Sequence, residues 1–271
     1  MVERIACFLT CGYTEAGAMQ SFLHKINDRY EFRQYLPNKT IKKKGMPKNI
    51  SDAINGLTGD RLLEEIYKIL GKHKAEINNC KAIIVEDDLD GRFFNWTEDK
   101  ITQYTTNVIS KIQTLLGNKL PVFVIYASPE IESWFISDWK NSFEYVYSSN
   151  DFIHDIERNA RLFYTHHLKT YIFQNILKQY ASDIENYGYF EGIYYKLSDQ
   201  IKDAIQFNVK DYIIELPVGN DNYKNQISNS KNLYYSKRIH GDKMLRNISP
   251  VIVANNCKKY FNPLYYLLHK F

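Results

Sequence analysis

Read for the alternation of apolar and polar positions, the chain falls into oily runs separated by helical patterns. Arg4 to Thr10 (RIACFLT) predicts a first strand, and "CGYTE" predicts a turn into a helix from about Thr14 to Asn27, with Thr14 as its N-cap. Tyr30 to Leu36 predicts a second extended piece, followed by the lysine-rich loop "NKTIKKKGMPKNI". Ser51 to Gly71 carries a helical pattern interrupted near Gly56 to Gly59. Lys81 to Val85 predicts a strand, Thr97 to Leu116 a helix, and "LPVFVIYAS" another hydrophobic strand. "PEIESWFISDW" predicts a helix that starts at Pro129, a residue suited to a first turn, with Ile131, Trp134 and Phe135 on one side. From about Asp155 to Phe207 the pattern is helical and rich in polar and aromatic residues. "DYIIELP" predicts a strand, "VGNDNYKNQISNSKN" a long loop, and the tail more helix.

Strands that are apolar on both faces and separated by helices favour a mostly parallel sheet covered on both sides. The expected class is therefore α/β, with a core over residues 1–140. A helix-rich C-terminal part over residues 141–271 completes the same domain or forms a subdomain.

Composition narrows this picture only slightly. The 271 residues are 44% hydrophobic, enough for one large domain or two small ones. Lys+Arg of 35 against Asp+Glu of 31 gives a net charge of +4, too mild by itself to identify a nucleic-acid binder. The four cysteines, Cys7, Cys11, Cys80 and Cys257, form no CxxC pair, so reduced thiols are expected rather than a disulfide framework or zinc knuckle. The apolar run near the N-terminus is too short for a signal peptide or a membrane span, so a cytoplasmic protein without membrane association is expected. The 22 tyrosines are scattered, as half-buried packing residues would be.

One stretch carries candidate chemistry. "AIIVEDDLDGR", Ala82 to Arg92, places four carboxylates in five positions directly after an oily strand. If the strand continues, Glu86 and Asp88 project to one side and Asp87 to the other, because side chains alternate with period two. Two carboxylates at i and i+2 on the end of a parallel strand suit Mg²⁺, which takes one or two protein oxygens and keeps its other positions for water and phosphate. Such strand ends are also where open α/β sheets bind ligands. The competing reading is an acidic turn closed by Gly91. Glu130 and Glu132 follow the "VFVIYA" strand, where one of them would complete a second metal position or simply start a helix. Lys237, Arg238, His240, Lys243 and Arg246 fall within ten residues, a cationic set able to steer a nucleic-acid backbone. The run Lys42 to Lys44 reads as phosphate contact or as a solvated loop. His166 and His167 have no partner visible in the sequence.

"IIVEDDLDG" resembles the aspartate motif of Toprim domains, a hydrophobic strand ending in D-x-D and often followed by x-D-G. Glu86, Asp88 and Asp90 fall on its three acidic positions, with Glu in place of Asp at the first. "CFLTCGYTE" is similar to the E-G-x-T-E signature of nucleases related to the overcoming-lysogenization-defect (OLD) proteins. "SPEIESWFISD" and "KRIHGDKMLRNISPVIVANNCKKYF" resemble segments of small Toprim-like bacterial proteins, many from defence or mobile-element neighbourhoods. The resemblance implies a Toprim-like sheet and a Mg²⁺- or Mn²⁺-dependent nuclease acting on nucleic acid, within a bacterial defence system. In that site Glu86 and Asp88 bind the metal, Asp90 and Glu132 support it or a second ion, and the basic C-terminal segment holds the backbone. Where the signature has a glutamate before its glycine, this chain has Cys11, a poor ligand for a hard cation. Glu15, one helical turn on, either takes over that function or is an ordinary first-turn glutamate.

The departure at Cys11 keeps a second class open, a catalytically inactive Toprim-derived subunit that binds nucleic acid or assembles with a partner protein. A phosphohydrolase of small molecules is a third. No GxxxxGK[ST] pattern occurs, so any ATP-driven step requires an ATPase partner encoded separately.

Overall fold

The computed structural model describes residues 2–10, 12, 14–37, 56–90, 93, 95–117, 120–148, 165–187, 195–215, 225 and 235–271. Cys11, Lys42 to Lys44, Gly91, Arg92 and nearly all of the Asn/Ser/Lys-rich segment lie outside these residues, so the expectations placed on them stand outside the description below.

Four strands form one all-parallel sheet: β1 (Glu3–Phe8), β2 (Tyr30–Leu36), β3 (Ala82–Asp88) and β4 (Val122–Ala127), in the order β2-β1-β3-β4. The two central strands are oily on both faces, and that is why they are central. Ile5 and Cys7 of β1, with Ala82 and Ile84 of β3, enter one core. Ala6 and Phe8, with Ile83 and Val85, enter the core on the opposite face.

The second of these cores is closed by α2 (Gly59–Ile77) and α3 (Glu98–Leu116). Helix α3 keeps its expected limits because its end signals are strong. The Thr97 hydroxyl accepts from the Lys100 amide, and Gly117 takes the left-handed conformation, φ 69°, that ends the helix. Helix α2 runs six residues beyond the expected stop at Gly71, with non-helical angles at His73. A lone glycine weakens a helix by only about 1 kcal/mol relative to alanine and does not end one whose apolar face continues to Ile77.

The other face is covered by α1 (Glu15–His24), α4 (Glu132–Ser137), α5 (Phe143–Ser148), α6 (Leu197–Glu215) and the C-terminal elements α7 (Asp242–Asn247), α8 (Pro250–Asn256) and α9 (Phe261–Lys270). Phe22 of α1 stacks on Trp134 of α4 at 5.3 Å between ring centroids, and Trp134 meets Phe261 of α9 at 4.7 Å. Residues from both halves of the chain therefore share this core.

Three local expectations are corrected. Thr14 does not cap α1: its own angles are helical and its hydroxyl makes no cap bond. Pro129 stands before α4 rather than in its first turn, joined to Ser128 by a cis peptide. Residues 211–215 of "DYIIELP" continue α6 instead of forming a strand. A short apolar run looks alike in a strand and in a buried helix turn, so its periodicity could not separate the two.

Glu185 ties the middle of the chain to α9. Its carboxylate accepts from the amides of Lys259, Tyr260 and Phe261, and its carbonyl accepts from the Ser128 hydroxyl at 2.6 Å. Glu185→Ala would leave these buried amides without an acceptor. It is expected to cost about 2–4 kcal/mol, seen as a lower urea midpoint with an unchanged m-value.

Candidate acidic site at the strand ends

β3 continues through the acidic stretch to Asp88, and alternation separates its carboxylates as expected. Asp87 turns to the α2 face, where both its oxygens accept from the Gly59 amide at the start of that helix, at 3.1 and 3.0 Å. An anion at a helix N-terminus meets unpaired amides and the positive end of the helix dipole.

Glu86 and Asp88 lie on the other face, near the N-terminus of α1. Glu86 is fully buried. Its Oε2 accepts from the Thr10 amide at 2.9 Å and from the Thr10 hydroxyl at 2.6 Å, just past the end of β1. Its Oε1 is buried and has no hydrogen-bond partner, and the same holds for Oδ1 of Asp88. Burial lifts the Glu86 carboxyl to about 8; the charge of Glu15 adds to the rise and the Thr10 donors oppose it. Asp88 also stands well above the ordinary aspartate range, mainly through burial, with Lys237 opposing and Glu86, Glu15 and Glu130 adding.

Glu15, the first residue of α1, is buried, and its carboxylate folds back over Gly12. A Cβ at position 12 would overlap Glu15 Oε2, so a larger residue there would push this carboxylate aside. Burial raises the Glu15 carboxyl to about 7.

Glu130 and Glu132, both buried, arrive from the β4–α4 connection. Glu132 Oε1 accepts from the Tyr235 hydroxyl at 2.9 Å, while Oε2 lies 2.9 Å from Nζ of Lys237. The same Nζ is 3.5 Å from Glu130 Oε2. Burial, then Glu132, raises the Glu130 carboxyl; Lys237 and a hydrogen bond with Ser198 oppose the rise. Burial works against the lysine charge, but Glu132, Asp88, Glu130 and Glu15 together outweigh it and hold Lys237 well above the usual range.

Glu132, Asp88, Glu130 and Glu15 thus surround Lys237, and Glu86 adjoins them beside Glu15 and Asp88. Asp90 lies in the turn after β3, where its carbonyl accepts from the Phe93 amide. Among the described residues, no three His, Cys, Asp or Glu side chains are arranged so as to enclose a metal ion. The cation that this arrangement accommodates is the ammonium.

The five basic residues expected to form one nucleic-acid surface differ in burial and partners. Lys237 points into the acidic site. His240 is fully buried, and its Nδ1 accepts from the Ser236 amide at 3.1 Å. Arg246 is bound to Asp242 at 2.7 Å, to the Ser21 hydroxyl at 2.9 Å and to the Gly17 carbonyl, clamping α7 against α1. Arg238 and Lys243 are exposed. Spacing does not explain the split, since positions 237, 240, 243 and 246 are three apart; packing does, because His240 is buried and Lys237 and Arg246 are each drawn to a carboxylate.

Thr10 and Tyr235, which orient Glu86 and Glu132, were not singled out from the sequence. Thr10 gains its role because β1 lies beside β3 in the sheet, a neighbour relation that no local pattern encodes. No family model, curated protein or solved structure matches this chain. No helix among the described residues is long and apolar enough to cross a membrane.

Proposed function

We propose that this crevice takes a divalent cation of the Mg²⁺ or Mn²⁺ type and serves hydrolysis of phosphodiester bonds in nucleic acid. The observation that carries the reading is the pair of buried, unpaired carboxylate oxygens, Glu86 Oε1 and Asp88 Oδ1, in a wall of further carboxylates at the carboxyl end of a parallel sheet. Buried polar atoms nearly always have partners, so two orphans facing a shared acidic site point to a missing positive group. The donors are all oxygen, which fits a hard cation. Lys237 already stands against two of them, Glu130 and Glu132.

In this reading Glu86 and Asp88 hold the cation, and Glu130 and Glu132 support it or a second ion. When bound, the cation supplies positive charge to the phosphoryl oxygens as negative charge builds on them. Glu15, with a carboxyl near 7, is suited to exchange a proton at its carboxylate oxygens at neutral pH. Thr10 and Tyr235 keep Glu86 and Glu132 in fixed orientations. The resemblance of the strand motif to Toprim nucleases points the same way.

A second reading, a binding or assembly subunit without catalysis, is favoured by the Lys237 ammonium, which already meets two of the carboxylates. The purified chain should be incubated with single- and double-stranded DNA and RNA in Mg²⁺, in Mn²⁺ and in EDTA. Polymer cleavage that needs the metal is expected. Release of phosphate from nucleotides with polymers left intact would instead indicate a small-molecule phosphohydrolase, and metal binding with no cleavage of either would favour the second reading.

A further inference from the structure

The geometry points to Lys237 as a resident counter-cation that a divalent metal must displace from Glu130 and Glu132 before the site can be loaded. This inference rests on the metal-binding reading above and adds to it a gate built from the chain itself.

Donor supply comes first. An ammonium has three N–H donors and one charge. Here it faces Glu132 Oε2 at 2.9 Å and Glu130 Oε2 at 3.5 Å, and leaves Glu86 Oε1 and Asp88 Oδ1 with no hydrogen bond. A divalent ion carries twice the charge and accepts six or more oxygens, so it can satisfy oxygens that the lysine leaves without a hydrogen bond. The ammonium is therefore a sufficient but incomplete substitute, which is the condition for exchange.

The backbone that carries Lys237 is anchored, whereas its side chain is partly exposed. Tyr235 is anchored on Glu132, and the turn Lys237–Gly241 is π-helical, a rare geometry that recurs at functional sites. The far end of the turn abuts α1: a Cβ on Gly241 would collide with the Thr14 side chain, and Arg246 pins the next helix to Gly17 and Ser21. The Lys237 side chain is 31% exposed, so displacement requires only that its flexible four-carbon stem turn towards water.

Calorimetric titration of MnCl₂ into the metal-free wild-type chain and into Lys237→Met is the first test. The variant is expected to bind at least about tenfold more tightly, because the ion no longer competes with a charge. Equal affinity, or weaker binding by Lys237→Met, would overturn the displacement while leaving the metal site standing. No binding by either chain would overturn both the displacement and the metal-binding reading.

Should Lys237→Met fail to fold, the wild-type chain supplies the second measurement. Its amines are acetylated briefly with and without MgCl₂, and the Lys237 peptide is quantified by mass spectrometry. Labelling of Lys237 that rises several-fold with Mg²⁺ supports displacement, and labelling that is unchanged or falls overturns it.

Discussion

Glu86→Gln is expected to lower metal-dependent cleavage about a thousandfold or more while leaving the fold intact. The substitution separates charge from shape. Glutamine keeps the length of the side chain, and its carbonyl oxygen can still accept from the Thr10 amide and hydroxyl, the two bonds that orient Glu86 now. The amide nitrogen then occupies the place of Oε1, which has no partner to lose. What disappears is the negative charge and one oxygen donor aimed into the acidic crevice. Single-turnover cleavage in Mn²⁺, compared with circular dichroism and thermal melting of the same preparation, distinguishes loss of the site from loss of the fold. Asp88→Asn should behave alike, since its Oδ1 is also without a hydrogen bond. Full activity in both variants would remove this crevice from the reaction. An inactive but melted Glu86→Gln would show that the carboxylate is structural.

The parts of this site that were legible in the sequence are those that local periodicity encodes. The alternation that put Glu86 and Asp88 on one face and Asp87 on the other needed only the strand to continue, and β3 does continue to Asp88. The sheet class followed from strands oily on both faces, and α3 from its Thr97 and Gly117 end signals. The groups that complete the site were not legible because they come together by long-range closure. Lys237 meets Glu132 across 105 positions, and in "KRIHGDK" nothing marks it apart from its basic neighbours. It enters the site because Gly241 and Arg246 dock its turn against α1, a contact that only the packed chain reveals. The surroundings of His240 and Arg246 were hidden for the same reason: their charge is visible in sequence, but burial and pairing are not.

Without metal, the protein is expected to lose stability as pH rises from about 5 to about 8, with the melting temperature falling by about ten degrees or more. The direction follows from proton counting. An unfolded glutamate titrates near about 4.3, whereas the folded chain holds Glu15 up to about 7 and Glu86 up to about 8. Below the unfolded value both states are protonated, and the contribution of these groups to stability is fully present. Between the two values the unfolded chain has released its protons and the folded chain keeps them, so each further rise in pH favours unfolding. The loss is complete once pH passes the folded values. Exposed carboxylates whose pKa is lowered by ion pairs, such as Glu98 beside Lys259, work in the opposite sense but at acid pH, outside this window. Melting in EDTA across the range should therefore slope downward, and Glu86→Gln should reduce the slope because Glu86 is held higher than Glu15. Added Mg²⁺ should flatten the curve by taking over the role of the bound protons, with proton release visible as a buffer-dependent heat of binding. A melting temperature independent of pH in EDTA would mean that the cluster is already ionised and that the Lys237 ammonium alone balances it.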